Sequence, residues 1–155
     1  VTELEMSESI AVAAPPEDVY ALVSDVTRTG QWSPVCRECW WDDGDGPRVG
    51  AWFTGLNETP ERTWETRSQV VAAEPGRAFA WEVNHGWVYW GYRLEADGAG
   101  TRLTESWALL PKGVDGFRER FGASADAEIA KRVEAARTGI PATLAAIKAI
   151  AEAGG

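Results

Sequence analysis

The sequence has 155 residues, 45% hydrophobic and 25% charged, the balance of a globular chain long enough to bury its own core. With 24 Asp+Glu against 15 Lys+Arg the net charge is −9, a sign that repels phosphate backbones and anionic headgroups, so nucleic acid and membrane surfaces are poor partners. Nine tryptophans in so short a chain point to an aromatic-lined interior.

The N-terminal Val1-Thr2-Glu3-Leu4-Glu5 lacks a basic region followed by an apolar stretch, and no apolar run approaches the roughly 18–20 residues of a membrane span. The expectation is a cytoplasmic protein with no membrane insertion. Ser9 to Ala13 reads as a short strand. Pro15 and Pro16 then open a helix, where a missing N–H costs nothing, and Val19, Tyr20, Leu22 and Val23 give it an apolar side. Gly30 to Pro34 breaks the chain around Trp32.

From Val35 to Leu110, short runs rich in Trp, Val, Phe and Thr alternate with turn clusters, the pattern of an antiparallel meander. Strands are predicted near 36–42, 50–57, 62–73, 77–84, 87–96 and 101–110, separated by Gly-, Pro-, Asn- and Asp-bearing turns. After Pro111, Phe117 and Phe121 share a helical face, and Ser124 can cap a long helix with Asp126 and Glu128 near its positive end. Ile129, Val133, Ala136, Ile140, Leu144, Ile147 and Ala151 continue as a helical stripe, which Pro141 should kink or weaken, with Gly139 adding to the weakness. Strands grouped between helices argue for an α+β fold in which a curved antiparallel sheet takes the long helix on its concave face.

The last hairpin can be registered. Pairing outward from the Asp97–Gly100 loop sets Leu94 opposite Leu103, Tyr92 opposite Glu105, Trp90 opposite Trp107 and Val88 opposite Leu109, all facing inward, while Arg93, Glu95, Arg102, Thr104 and Ser106 face water. A slip of one residue would destroy that segregation. Glu105 among Leu103, Trp107 and Tyr92 is expensive to bury unless protonated or hydrogen-bonded, so its pKa should be raised. Two readings stand: a structural hydrogen bond to Tyr92 or a wet sheet edge, or a polar anchor inside a ligand cavity. Alternation also sets Trp64, Thr66, Ser68 and Val70 on one face, and Phe79, Trp81 and Val83 on one face of the next strand; Phe53 and Asn57 lean inward. Alternation does not choose a face for 36–42.

Several motifs fail. Cys36-Arg37-Glu38-Cys39 has metal-like spacing but no second half, and residues three apart on a regular strand point to opposite faces; two buried free thiols are the reading, with no metal and no cofactor. His85, in an Asn-His-Gly turn, reads as an exposed turn residue. Asp42, Asp43 and Asp45 lack the later ligands of a calcium loop, and Asn57-Glu58-Thr59 is a chance sequon.

A set of short strings, in order, runs nearly the whole chain: Ala14-Pro15-Pro16-Glu17-Asp18-Val19-Tyr20, Ser24-Asp25, Trp32-Ser33-Pro34, Gly50 to Asn57, Trp64, Glu74 to Trp81, Tyr92-Arg93-Leu94-Glu95, Gly100 to Trp107 and Leu144 to Lys148. On these the chain resembles the Bet v 1/START-like (SRPBCC) superfamily, in its bacterial branch of polyketide cyclase/dehydrase and lipid-transport-type proteins. The resemblance implies a helix-grip fold over residues 1–155 as a single ligand-binding domain, with two short helices after the first strand. It also implies a seven-stranded antiparallel sheet wrapped around the C-terminal helix and a hydrophobic cavity between them. Such a fold hosts unrelated activities.

The leading expectation is therefore binding of a small hydrophobic molecule, of aromatic, polyketide or lipid type, by a monomer or homodimer. The alternative is a polyketide aromatase/cyclase-type enzyme using Glu105 and Tyr92 as acid/base groups. A third is an interaction module whose cavity is merely core. The expected pocket, about 300–1,000 Å³, is walled by Trp64, Trp81, Trp90, Tyr92 and Trp107 on the sheet and Ile140 and Leu144 on the helix, with Asn57 and Glu105 as polar groups. Phe117 and Phe121, flanked by Gly113, Gly116 and Gly122, are either a mobile lid over its mouth or a plain connection with two core phenylalanines.

Overall fold

The computed structural model describes residues 4–44 and 46–154. The strands are β1 Glu5–Val12, β2 Cys36–Trp41, β3 Trp52–Thr59, β4 Arg62–Glu74, β5 Ala78–Val83, β6 Val88–Asp97 and β7 Gly100–Leu109. Helix α1 spans Pro16–Val23, α2 Pro111–Phe121 and α3 Ala125–Glu152, with short 3-10 helices at Val26–Gln31 and Gly122–Ser124. All seven strands form one antiparallel sheet in the order β1-β7-β6-β5-β4-β3-β2. Strands β2 to β7 therefore run as a meander, and β1 returns beside β7. The chain crosses from one sheet edge to the other through α1 and the 3-10 helix, and α3 packs on β1, β7 and α1. This is the helix-grip α+β arrangement.

The last hairpin has the predicted register, Val88↔Leu109 through Ala96↔Thr101, closed by a Gly98-Ala99 turn with Gly98 at φ 61°. Leu94, Tyr92, Leu103, Glu105, Trp107 and Leu109 are buried, whereas Arg93, Glu95 and Arg102 are exposed. β1 begins earlier than the sequence suggests, at Glu5, because its first residues pair with Ala108 and Trp107. Its far end is tied to α3, where Lys148 Nζ donates to the Ala11 carbonyl at 2.7 Å and the Ala13 N–H donates to Glu152 at 2.9 Å.

Two bulges bend the sheet. One lies between Val70 and Ala72, the other between Cys36 and Glu38. The second overturns the regular-strand reading of the cysteines. With Arg37 as the extra residue, Cys36 sits opposite Asn57 and Cys39 opposite Gly55, so both thiols come to one face. Cys39 is buried and Cys36 half-buried. On the same strand Trp41 turns inward, its ring 5.6 Å from Phe53, and Trp40 stays exposed.

The start of α3 differs from expectation. Ser124 does stand before α3, but it has helical dihedrals (φ −89°, ψ −1°) because a 3-10 turn leads into the helix, and its hydroxyl makes no capping bond. An extended residue would be needed to aim it at the first N–H groups. Helix α3 runs through Pro141 as one assigned helix. Pro141 is on the exposed side, where water can serve the carbonyl that loses its partner. His85 is exposed as expected, in left-handed backbone (φ 60°) with its ring 5.1 Å from Trp52 on the outer face.

Candidate functional site

Cross-strand pairing builds the inner face in rows. One row runs Val70, Trp81, Trp90, Trp107 and Met6 across five strands. The next runs Ala73, Phe79, Tyr92, Glu105 and Glu8. A third sets Trp41, Phe53, Ser68, Val83, Val88 and Leu109 side by side. Four ring contacts join these rows around Trp81: Phe53 at 5.9 Å, Phe79 at 5.7 Å and Tyr92 at 5.9 Å, with Trp41 reached through Phe53. From α3, Ile140 and Leu144 are 1% and 2% exposed, and Trp107 on the sheet is 3%. Trp81 and Trp90 are half-buried.

Glu105 lies at the centre of this apolar surround, 4% exposed. Its Oε1 is the single enclosed side-chain oxygen or nitrogen among the described residues without a hydrogen-bond partner. Burial pushes its pKa up from 4.5 to about 8. The cause is the lost hydration of the charged form in a low-dielectric surround. Tyr92 is its direct cross-strand neighbour but makes no hydrogen bond to it; burial and the adjacent carboxyl both hold the phenol well above its ordinary value, and the Trp32 indole opposes them. At neutral pH the pair is thus a neutral acid beside a neutral phenol.

Trp32 is the residue sequence reasoning passed over. It sat in a Gly/Pro-bearing break, yet it is 5% exposed and close enough to Tyr92 to lower the pKa of its phenol. The signal was available, since a tryptophan in a break still has a large apolar area to hide. Thr143, buried on α3 beside Leu144, is another polar residue inside the apolar stripe.

The remaining predicted residues lie toward other parts of the fold. Asn57 is buried on the inner face of β3, its Nδ2 donating to Thr66 Oγ1 at 3.1 Å, so the sequon is closed off. Trp64, paired with Asn57, is half-buried and carries the Arg62 guanidinium 4.2 Å from its ring. On α2, Phe117 is buried and 5.5 Å from Phe121, and the arginines of α2 and α3 lie over these rings: Arg120 at 5.9 Å from Phe121 and Arg132 at 5.5 Å from Phe117.

The glycines of α2 have a different use from the freedom read in sequence. A Cβ at Gly113 would collide with the Trp87 carbonyl, and one at Gly116 with the Trp87 ring. Their missing side chains let α2 lie directly on Trp87, whose ring is also 5.9 Å from Phe117. Two hollows are described. One of about 260 Å³ is bounded by Ala11 to Ala13, Asp97, Gly100, Thr101 and Lys148. The other, of about 360 Å³, is bounded by Glu5, Met6, Ser7, Tyr89, Ser106, Trp107 and Ala108. Neither is the chamber expected between Trp81 and α3.

The sequence profile described as polyketide cyclase / dehydrase and lipid transport matches residues 3–152. The chain belongs to this family. Among solved structures, the family member resembles the polyketide-cyclase-like protein Cgl2372 of Corynebacterium glutamicum at 58% identity, over 97% of this chain and 93% of that one, with a TM-score of 0.73. Two more distant structures share its fold: the di-domain aromatase/cyclase StfQ of the steffimycin biosynthetic pathway and Ara h 8.0201. StfQ is 16% identical, over 97% of this chain and 51% of that one, TM-score 0.71. Ara h 8.0201 is 16% identical, over 94% and 95%, TM-score 0.61. No curated protein matches the chain in sequence. Among the described residues, no helix of this family member is long and apolar enough to cross a membrane.

Proposed function

We propose that this chain works as a single ligand-binding domain for a small, mostly apolar molecule, received between the inner face of the sheet and α3. The observation that supports this reading is the orphaned, buried Oε1 of Glu105, on the inner face beside Tyr92 and between Leu103 and Trp107 on its own strand. A buried acceptor without a donor costs roughly 1–3 kcal/mol. A ligand hydroxyl or N–H placed against it recovers that cost on binding, and the surrounding rings supply apolar area. Room for the ligand comes from movement of the half-buried Trp81 and Trp90, since the described hollows lie elsewhere.

The pair 1-naphthol and naphthalene tests this directly, because the two differ by one hydroxyl. Quenching of tryptophan fluorescence should show naphthol binding about tenfold more tightly, the equivalent of one hydrogen bond to a buried group. Glu105→Leu should abolish the difference and leave naphthalene binding intact. Equal preference in both proteins, or no binding of either probe, would sink the proposal.

One observation favours a second reading, the aromatase/cyclase-type enzyme. A carboxyl with a pKa of about 8 is held protonated at neutral pH and can deliver a proton to a bound carbonyl oxygen. Glu105→Gln keeps the shape and cannot transfer the proton. Retained naphthol binding with lost turnover of a polyketide substrate supports the enzyme; turnover preserved in the Gln variant removes Glu105 from catalysis.

A further inference from the structure

The cysteine pair set aside as metal-like spacing is brought together by the bulge in β2. On an unbulged strand, residues three apart would be about 10 Å apart. Here the three steps from Cys36 to Cys39 oppose only the two steps from Asn57 to Gly55, so the two Cα atoms stand about 6.6 Å apart, two strand residues' rise. That falls at the upper edge of the roughly 4.4–6.8 Å spanned by disulfides. The side chains agree. Both sulfurs hang over Gly55, where a Cβ would lie 3.3 Å from Cys36 Sγ and 3.9 Å from Cys39 Sγ. The two thiols are close enough to shift each other's pKa, and the Cys36 thiol donates to the Glu38 carbonyl at 3.3 Å.

We propose that Cys36 and Cys39 are a redox-active dithiol, closing to an intrachain disulfide by exchange with a low-molecular-weight disulfide. Cys36 is the attacking sulfur. It is half-buried while Cys39 is buried, and the neighbouring Cys39 holds its thiol below the ordinary value, whereas the same neighbour and burial hold Cys39 above it. Cys36 thiolate attacks one sulfur of R–S–S–R, the S–S bond breaks, and RS⁻ leaves and takes up a proton. Cys39 then gives up its proton and attacks the Cys36 sulfur, expelling the second RS⁻, which takes that proton. Two protein thiols are oxidised by two electrons, and R–S–S–R is reduced to two RSH. A dithiol should reopen the bridge by the same exchange run in reverse. Nothing in this step depends on the ligand-binding reading.

The test uses the native protein, reduced, freed of reductant and equilibrated with oxidised and reduced glutathione over a range of ratios. Free thiols are alkylated after an acid quench and the intact mass is read. As oxidised glutathione comes to dominate, both alkylated sites should disappear together, leaving an unalkylated chain two hydrogen atoms lighter than the dithiol form. Peptide mapping should find the bridge within one chain, and dithiothreitol should restore both thiols. Cys39→Ser should stop at one glutathione on Cys36. Two glutathiones on the wild-type chain, a bridge between chains, or no reaction of the folded protein would overturn the proposal. The wild-type measurement decides even if the variant fails to fold.

Discussion

Replacing Glu105 by Gln should change how stability depends on pH, and the sign is fixed by where the proton resides. The folded carboxyl titrates near 8 and the unfolded one near 4.5, so between these values the native state holds a proton that the unfolded chain has released. Its contribution to stability is therefore complete below the unfolded pKa and falls as pH rises through the folded one. The slope between the two is about 1.4 kcal/mol per pH unit, and the full span sets an upper limit of about 5 kcal/mol. Urea denaturation at about pH 5.5 and about pH 7.5 should show the wild type losing roughly 2–3 kcal/mol relative to Glu105→Gln, which has nothing to titrate there. Every other titratable group is common to the two proteins, so the difference between them belongs to Glu105. Stability curves that stay parallel across the interval would show that Glu105 is already ionised in the native state, and the argument from its burial would fail.

Two backbone positions should respond in opposite directions. Gly113→Ala drives a methyl group into the Trp87 carbonyl, which already accepts the Leu110 N–H at 2.9 Å, so it should cost about 1–3 kcal/mol and raise hydrogen exchange over 111–121; a variant as stable as the wild type would show that α2 is not clamped there. Gly139→Ala lies inside α3 with only the Pro34 ring edge at 3.8 Å, an ordinary contact, so it should gain roughly 0.5–1 kcal/mol in thermal denaturation; destabilisation would mean that α3 needs a soft turn beside Pro141.

Much of the fold was legible because a meander leaves few choices. In β6 and β7 the large apolar residues and the charged ones fall on opposite faces almost throughout, so one register separates them and the neighbouring ones do not. Glu105 was legible for the same reason, as the one acid on the apolar side. What stayed hidden depends on contacts between distant segments. A bulge inserts a residue without a fixed signature, and the one at Arg37 reverses which face Cys36 shares with Cys39. Gly113 and Gly116 looked like freedom because their partner, Trp87, lies across a whole hairpin in sequence. Ser124 carried the right residue type in the right place, but the tight turn before it fixes dihedrals that no capping side chain can use. The chamber expected between the sheet and α3 is where sequence reasoning reached least far, since both described hollows lie elsewhere. Alternation tells which side chains face inward, not whether they meet or leave a gap.

Glu105 also indicates why the inner face is built as it is. The same row offers Phe79 and Tyr92, and the rows on either side offer Leu103 and Trp107, so a leucine at 105 would meet apolar neighbours on several sides. It would need no proton and leave no acceptor unpaired. On stability alone, then, the fold is better without the carboxyl, and the Glu105→Leu protein used against naphthol should be the more stable one near neutral pH. A structural role predicts the reverse, because a group that holds a sheet together weakens it on removal. If the variant gains stability and loses its preference for the hydroxyl, the carboxyl serves the bound molecule and the fold tolerates it. If it loses stability and keeps the preference, Oε1 has a partner in the folded protein and the ligand must be anchored elsewhere, with buried Thr143 on α3 a polar candidate in the helical stripe.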